Sequence, residues 1–229
     1  MSNTWETILQ QTAAYYTAKI QEHGATARGV DWNSTESQSM RFQQLLRLCL
    51  DTSRPFSIND IGCGYGALVD YLQACHYRFS YAGVDLSTAM IQVATERYLH
   101  DSRCQFFTTF SALPVADYSV ASGIFNVKLS TPDGEWITYM AAMLDQLASV
   151  SSLGFAFNVL TQYSDAERQR PDLYYADPRF WFDHCQQRYS RWVALLHDYG
   201  LYEFTILVRR EGGKAWPSSS CSVPVISRA

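Results

Sequence analysis

The stretch Asp60-Ile61-Gly62-Cys63-Gly64-Tyr65-Gly66 constrains the fold of this chain more than any other. Phe56–Ile61 before it reads as a short strand, and Leu68, Val69, Tyr71, Leu72 and Cys75 after it fall at helical spacing. Alternating glycines let a backbone pass close to a ligand, where a β-carbon would collide or forbid the required φ. The helix behind them presents free N–H groups. Glycines alone also suit an ordinary strand-to-helix connection, so partner residues must decide between a site and a turn.

Two carboxylates supply that decision. Asp85 closes the next apolar run, Phe79–Asp85, 19 positions after Gly66 (85 − 66). A carboxylate there can accept both hydroxyls of a ribose lying over the loop. Asp60, on the loop's entry side, would repel a pyrophosphate but favours a ligand carrying an ammonium and a sulfonium. The spacing G-x-G-x-G also differs from the G-x-G-x-x-G of dehydrogenases.

The remaining pattern supports an α/β chain. Trp5, Ile8, Leu9, Tyr15, Tyr16 and Ile20 fit one face of a helix from Asn3 to about Glu22, with Asn3 and Glu6 spaced as a capping box. His23–Asn33 is irregular, and a second helix begins near Ser34 and ends before Pro55. Strands are expected at Phe56–Ile61, Phe79–Asp85, Cys104–Thr108, Ser119–Asn126 and Leu153–Leu160, with helices after the first, second and fourth. Ser87 is placed to cap one helix and Pro132 to open another at its first position. Such alternation predicts right-handed βαβ units in a doubly wound sheet. Asp177-Pro178 opens a helix to about Tyr189, and Arg191–Tyr199 with Tyr202–Arg210 flank a Gly200-Leu201 hairpin signal. Residues 1–52 are read as a helical cap, 53–210 as the ligand-binding domain and 211–229 as a loose tail.

Composition removes several function classes. Lys+Arg 18 against Asp+Glu 22 gives a net charge of −4, which leaves no basic excess for a nucleic-acid backbone. No apolar run approaches the roughly 18 residues of a membrane span, and the N-terminus lacks a signal-peptide profile. The six cysteines form no C-x-x-C pair, and no His/Asp cluster has ligand spacing, so reduced thiols and no metal are expected. A soluble, cytoplasmic protein is expected, as a monomer or homodimer.

On Asp60–Gly66 and on Asp85 within Gly83-Val84-Asp85-Leu86-Ser87, the chain resembles the class I, Rossmann-like methyltransferases that use S-adenosylmethionine (SAM). The resemblance covers about residues 40–210. It implies a mostly parallel seven-stranded sheet whose C-terminal hairpin makes the last strand antiparallel. It further implies SAM as donor, S-adenosylhomocysteine (SAH) as product and a small-molecule acceptor methylated at oxygen or nitrogen. A non-catalytic SAM sensor or a subunit of a larger assembly is the alternative. The implied cofactor residues are Asp60, Gly62, Cys63, Gly64, Gly66, Asp85 and Leu86, with Thr109 and Phe110 for the adenine in place of the family's frequent acid after the third strand.

The acceptor side is less specified. Asn126 and Lys128 follow the fourth strand, where they would face the donor methyl, although Asn126 equally suits a loop cap. The sequence Asn126-Val127-Lys128-Leu129 departs from the Asn-Pro-Pro-Tyr/Phe motif of base amino-group methylation. His184 and His197 are candidate general bases, with a surface or satisfied histidine as the other reading. Tyr16 and Arg41 lie on the N-terminal helices, which the resemblance implies cover the cofactor and supply groups for its methionine end, so both are candidate cofactor residues. Arg41 suits the cofactor carboxylate or a solvated helix face. The run Asp172–Pro178 suits a lid for a planar or cationic molecule, or an ordinary packed connection.

Overall fold

A computed structural model describes residues 3–210, with side chains from residue 5. The capping role of Asn3 and the tail 211–229, with Cys221, lie outside those described residues. Helices α1 (Asn3–His23) and α2 (Thr35–Leu46) precede the sheet. Then β1 (Phe56–Ile61), α3 (Ala67–Ala74), β2 (Phe79–Val84), α4 (Thr88–Arg97), β3 (Cys104–Phe107) and β4 (Ala116–Ala121) follow. The chain continues with α5 (Asp133–Ser149), β5 (Ser151–Leu160), α6 (Pro178–Arg188), β6 (Val193–Leu196) and β7 (Glu203–Arg209). The seven strands lie in the order β3-β2-β1-β4-β5-β7-β6. Every neighbouring pair is parallel except β5–β7 and β6–β7, which are antiparallel.

Period-two alternation splits the strands between two apolar layers. Ile61, Val84, Ala121, Phe155, Phe157 and Phe204 face one core with Trp136, Leu144 and Trp181 of α5 and α6. Phe56, Ile58, Tyr81 and Val120 face the other, with Leu45, Leu68 and Leu72 of α2 and α3. Ser87 and Asp177 cap the starts of their helices as the sequence places them, and Ser34 does the same for α2; each accepts a backbone N–H in the first turn.

Several boundaries differ from the sequence reading. The fourth strand covers Ala116–Ala121, not Ser119–Asn126, because Gly123 takes φ +75° and turns the chain out of the sheet. Pro132 is the N-cap of α5 with extended backbone and not its first residue. The terminal hairpin has a longer connection than Gly200-Leu201, residues 197–202, in which Tyr199 turns inward and its hydroxyl meets that of Thr205 at 2.8 Å. No α-helix separates β3 from β4; a 3-10 turn at Phe110–Ala112 makes the link. Helix α1 reaches that side of the sheet instead: Ile8 joins the core there, and Trp5 meets Tyr139 of α5 edge-on at 5.6 Å. Its other end reaches the start of α4, where the Thr17 and Ser87 hydroxyls lie 2.8 Å apart. Thus α1 straps across the C-terminal ends of the strands, while α2 packs against β5 and β7.

Phe157 is fully buried between Phe125 and Trp181. Phe157→Ala is expected to cost about 3–5 kcal/mol of stability, read by chemical denaturation as a lowered midpoint with an unchanged slope.

Candidate functional site

The loop between β1 and α3 takes its shape from β2. The Val84 carbonyl accepts the N–H groups of Gly62 (2.8 Å) and Cys63 (3.0 Å). Asp85 then divides its carboxylate: Oδ2 accepts from the Gly64 N–H at 2.9 Å, and Oδ1 from the Ser87 N–H at 2.9 Å. One side chain therefore fixes both the glycine bend and the entry to α4. Gly62 sits at φ +75°, and a β-carbon there would lie 2.2 Å from Ile124, so only glycine permits this path.

Above the loop lies a cavity of about 700 Å³, within the roughly 300–1,000 Å³ of small-molecule sites. Asp60, Gly62, Cys63, Gly64, Asp85, Leu86, Thr109, Phe110 and Tyr16 all line it, so the structure brings together most of the expected cofactor residues. Burial raises the Asp60 carboxyl to about 7, against the pull of the Tyr81 hydroxyl donating at 2.8 Å and with the help of the neighbouring Asp85 charge. Burial likewise raises Asp85, while the N–H groups it accepts draw it down. The Tyr16 phenol and the Cys63 thiol are pushed up by burial and stay protonated. An enclosed cavity with two carboxylates is suited to a ligand that brings hydroxyl donors and positive charge.

The other expected residues lie elsewhere. Gly66 caps α3 beneath the Tyr98 ring, outside the cavity lining. Arg41 is buried; its Nε donates to Glu203 at 2.9 Å and Nη1 to the Ser37 carbonyl, which commits it away from any ligand carboxylate. Asn126 is buried and accepts from the Leu160 N–H, and Lys128 pairs with Asp133 at 3.4 Å. Both are committed to the loop that leaves β4. His184 lies among the rings of Phe180, Trp181 and Tyr189, where burial pulls its pKa down. His197 follows β6 beside Tyr163 and Phe204. Neither histidine lines the cavity. The run 172–178 is tied down by bridges from Val127 to Leu173 and from Thr161 to Ala176, and it does not line the cavity either.

Several lining residues carry no sequence signal of ligand contact: Trp5, Trp32, Gln38, Ser122 and Tyr139. Trp5 has the spacing of a core position, and Trp32 stands in an irregular segment without periodicity. A large aromatic residue stranded between two helices is the one available hint. Among the described residues no group of His, Cys, Asp or Glu could hold a metal ion, and no helix is long and apolar enough to cross a membrane.

Comparison with known proteins agrees with this geometry. A family model described as a methyltransferase domain matches residues 58–150. A Mycobacterium tuberculosis (strain ATCC 25618 / H37Rv) protein named "Putative methyltransferase Rv1506c" is 54% identical over 161 residues, covering 70% of this chain and 97% of its own. Among solved structures, the magnesium protoporphyrin IX methyltransferase of Synechocystis PCC 6803 with bound SAH superposes with TM-score 0.59 at 14% identity, covering 89% of this chain and 99% of its own. The N-methyltransferase NodS of Bradyrhizobium japonicum WM9, also with SAH, gives TM-score 0.60 at 17% identity, covering 87% and 98%.

A ligand cation seated beside Asp60 would favour its ionised form over its protonated one. The affinity for SAH, measured by isothermal titration, is therefore expected to fall as pH drops below about 7 and to level off above it. Asp60→Asn is expected to remove that pH dependence between about pH 5.5 and about pH 8, the range over which one carboxyl raised by burial changes its charge.

Proposed function

The chain belongs to the class I SAM-dependent methyltransferases, and from that premise we propose that it methylates an oxygen or nitrogen atom of a small-molecule acceptor. SAM supplies an electrophilic methyl group on a sulfonium. The observation that carries the small-molecule reading is the strap: α1 brings Trp5, Leu9, Thr12 and Tyr16 over the cavity, whose volume of about 700 Å³ would take a donor and a compact acceptor together.

The residues fit the donor. Positive φ at Gly62 and Gly64 bends the backbone along the cavity, in a cradle where a β-carbon would meet Ile124 or Val30. Asp85 would accept the ribose hydroxyls with the lone pairs its two backbone partners leave free. Leu86 and Phe110 would pack on the adenine, with backbone groups of Thr109 at its edge. Asp60 would hold the positive end of the donor, which in turn favours its ionised form. Methyl transfer requires nucleophile, carbon and sulfur near one line, so the chain's contribution is alignment and exclusion of water, as buried walls and a preset loop provide.

Incubation with methyl-labelled SAM and a small-molecule extract tests the proposal. Label appearing in a low-molecular-mass product, with stoichiometric SAH, is expected. Label confined to protein or nucleic acid, or no transfer at all, would contradict it.

A further inference from the structure

The cavity lining contains two carboxylates and, among the described residues, no lysine, arginine or histidine. The nearby cation, Arg41, is already neutralised: Glu203 accepts from its Nε at 2.9 Å, and Asn158 donates to the other Glu203 oxygen at 3.1 Å. What Arg41 does offer is support. Its guanidinium stacks 3.8 Å from the Trp32 ring centre, on an indole that lines the cavity. The Trp32 ring also rests on the backbone at Gly123, where a β-carbon would lie 2.3 Å from it. Asn158 accepts the Gly123 N–H at 2.7 Å, so one buried network holds both the arginine that braces Trp32 and the glycine it leans on.

Apart from the two carboxylates, the polar groups of the lining are neutral. Ser122, the first residue after β4, lines the cavity, and its Oγ is buried without a hydrogen-bond partner. Gln38 is buried and lines the same space; its Oε1 accepts from the Tyr65 hydroxyl at 3.2 Å, which leaves its amide N–H groups as donors. Trp32 and Phe42 supply flat apolar walls.

No group here is free to take a proton from a hydroxyl acceptor. Asp85 accepts two backbone N–H groups and would give its remaining lone pairs to the donor ribose, Asp60 accepts from the Tyr81 hydroxyl and would pair with the positive end of the donor, and burial keeps the Tyr16 and Tyr139 phenols protonated. An anionic acceptor would face two carboxylates and no basic side chain, a costly burial. A protonated amine would have no lone pair.

We propose that the acceptor is an uncharged planar heteroaromatic compound, methylated on a ring nitrogen and held between Trp32 and Phe42 with Ser122 and Gln38 as its hydrogen-bond partners. The inference rests on the methyltransferase reading above and narrows it. The ring-nitrogen lone pair forms the new N–CH₃ bond as the C–S pair returns to sulfur, giving SAH. The positive charge passes to the ring, which releases its own N–H proton to water, so no protein base is needed.

The test uses the full chain saturated with SAH and four probes of similar size: benzimidazole, benzamide, benzoate and phenylphosphonate. Ligand-detected NMR is expected to show the two neutral probes binding at least tenfold more tightly than the two anions. With SAM, benzimidazole is expected to gain one methyl group. Trp32→Ala should weaken benzimidazole at least fivefold while leaving the SAH affinity within twofold, and Ser122→Ala should shift the probe affinity in the same sense without moving SAH. Benzoate or phenylphosphonate binding as well as benzimidazole, no probe binding, or no effect of either substitution would overturn the proposal. Failure of the unmodified chain to bind SAH at all would instead overturn the methyltransferase reading on which it rests.

Discussion

The structure depends on the way one carboxylate is shared. Asp85 receives the Gly64 N–H on one oxygen and the Ser87 N–H on the other, while Val84, one residue earlier, receives two more N–H groups from the bend. The glycine bend is thus suspended from the end of β2 rather than left to find its shape on binding. Preorganisation of this kind lowers the ordering cost that association would otherwise incur. It also places two buried acids in one apolar enclosure, and the charge on each raises the cost of ionising the other. A cation relieves that cost, so the same arrangement that is unfavourable when empty of positive charge becomes selective for it.

Enclosure comes from the N-terminal helix. With only a 3-10 turn between β3 and β4, the sheet lacks a covering helix there, and α1 reaches into the gap with Trp5 and Ile8. Its far end is held by Thr17 at Ser87 and by Asp31, which accepts from the Tyr15 hydroxyl at 2.7 Å and from Lys19 at 2.8 Å. Because both ends are anchored, the middle of the helix presents Thr12 and Tyr16 to the cavity. The strap is therefore fixed to the two elements that also frame the ligand: α5 on one side and the start of α4 on the other.

Much of this was legible from residues alone. The strands at Phe56 and Phe79, the caps at Ser87 and Asp177, and the glycine bend with Asp60 and Asp85 follow from short-range rules: alternation, capping, and the steric demands of a close backbone approach; Thr109 and Phe110, which also line the cavity, were reached through the family resemblance. The acceptor side was not legible, for a physical reason. The walls proposed for it, Trp32, Gln38, Phe42 and Ser122, are brought together by tertiary packing across a span of 90 positions (122 − 32) with no local pattern to mark them. Arg41 shows the same limit from the other direction. Its charge suggested a ligand carboxylate, but its partner is Glu203, 162 positions away on β7, and no local spacing announces that pair. The end of β4 was misplaced because Ser122–Asn126 continues the apolar run of the strand, whereas the backbone reverses at Gly123.

The central claim is that the carboxylate of Asp85 both shapes the glycine bend and receives the ribose of the donor. Isothermal titration of SAH into the unmodified chain and into Asp85→Asn, with circular dichroism to confirm that both are folded, tests it most directly. Loss of charge-assisted hydrogen bonds worth about 1.5–3 kcal/mol predicts an affinity lower by roughly ten- to a hundredfold in the variant. Equal affinity in the two folded proteins would contradict the account.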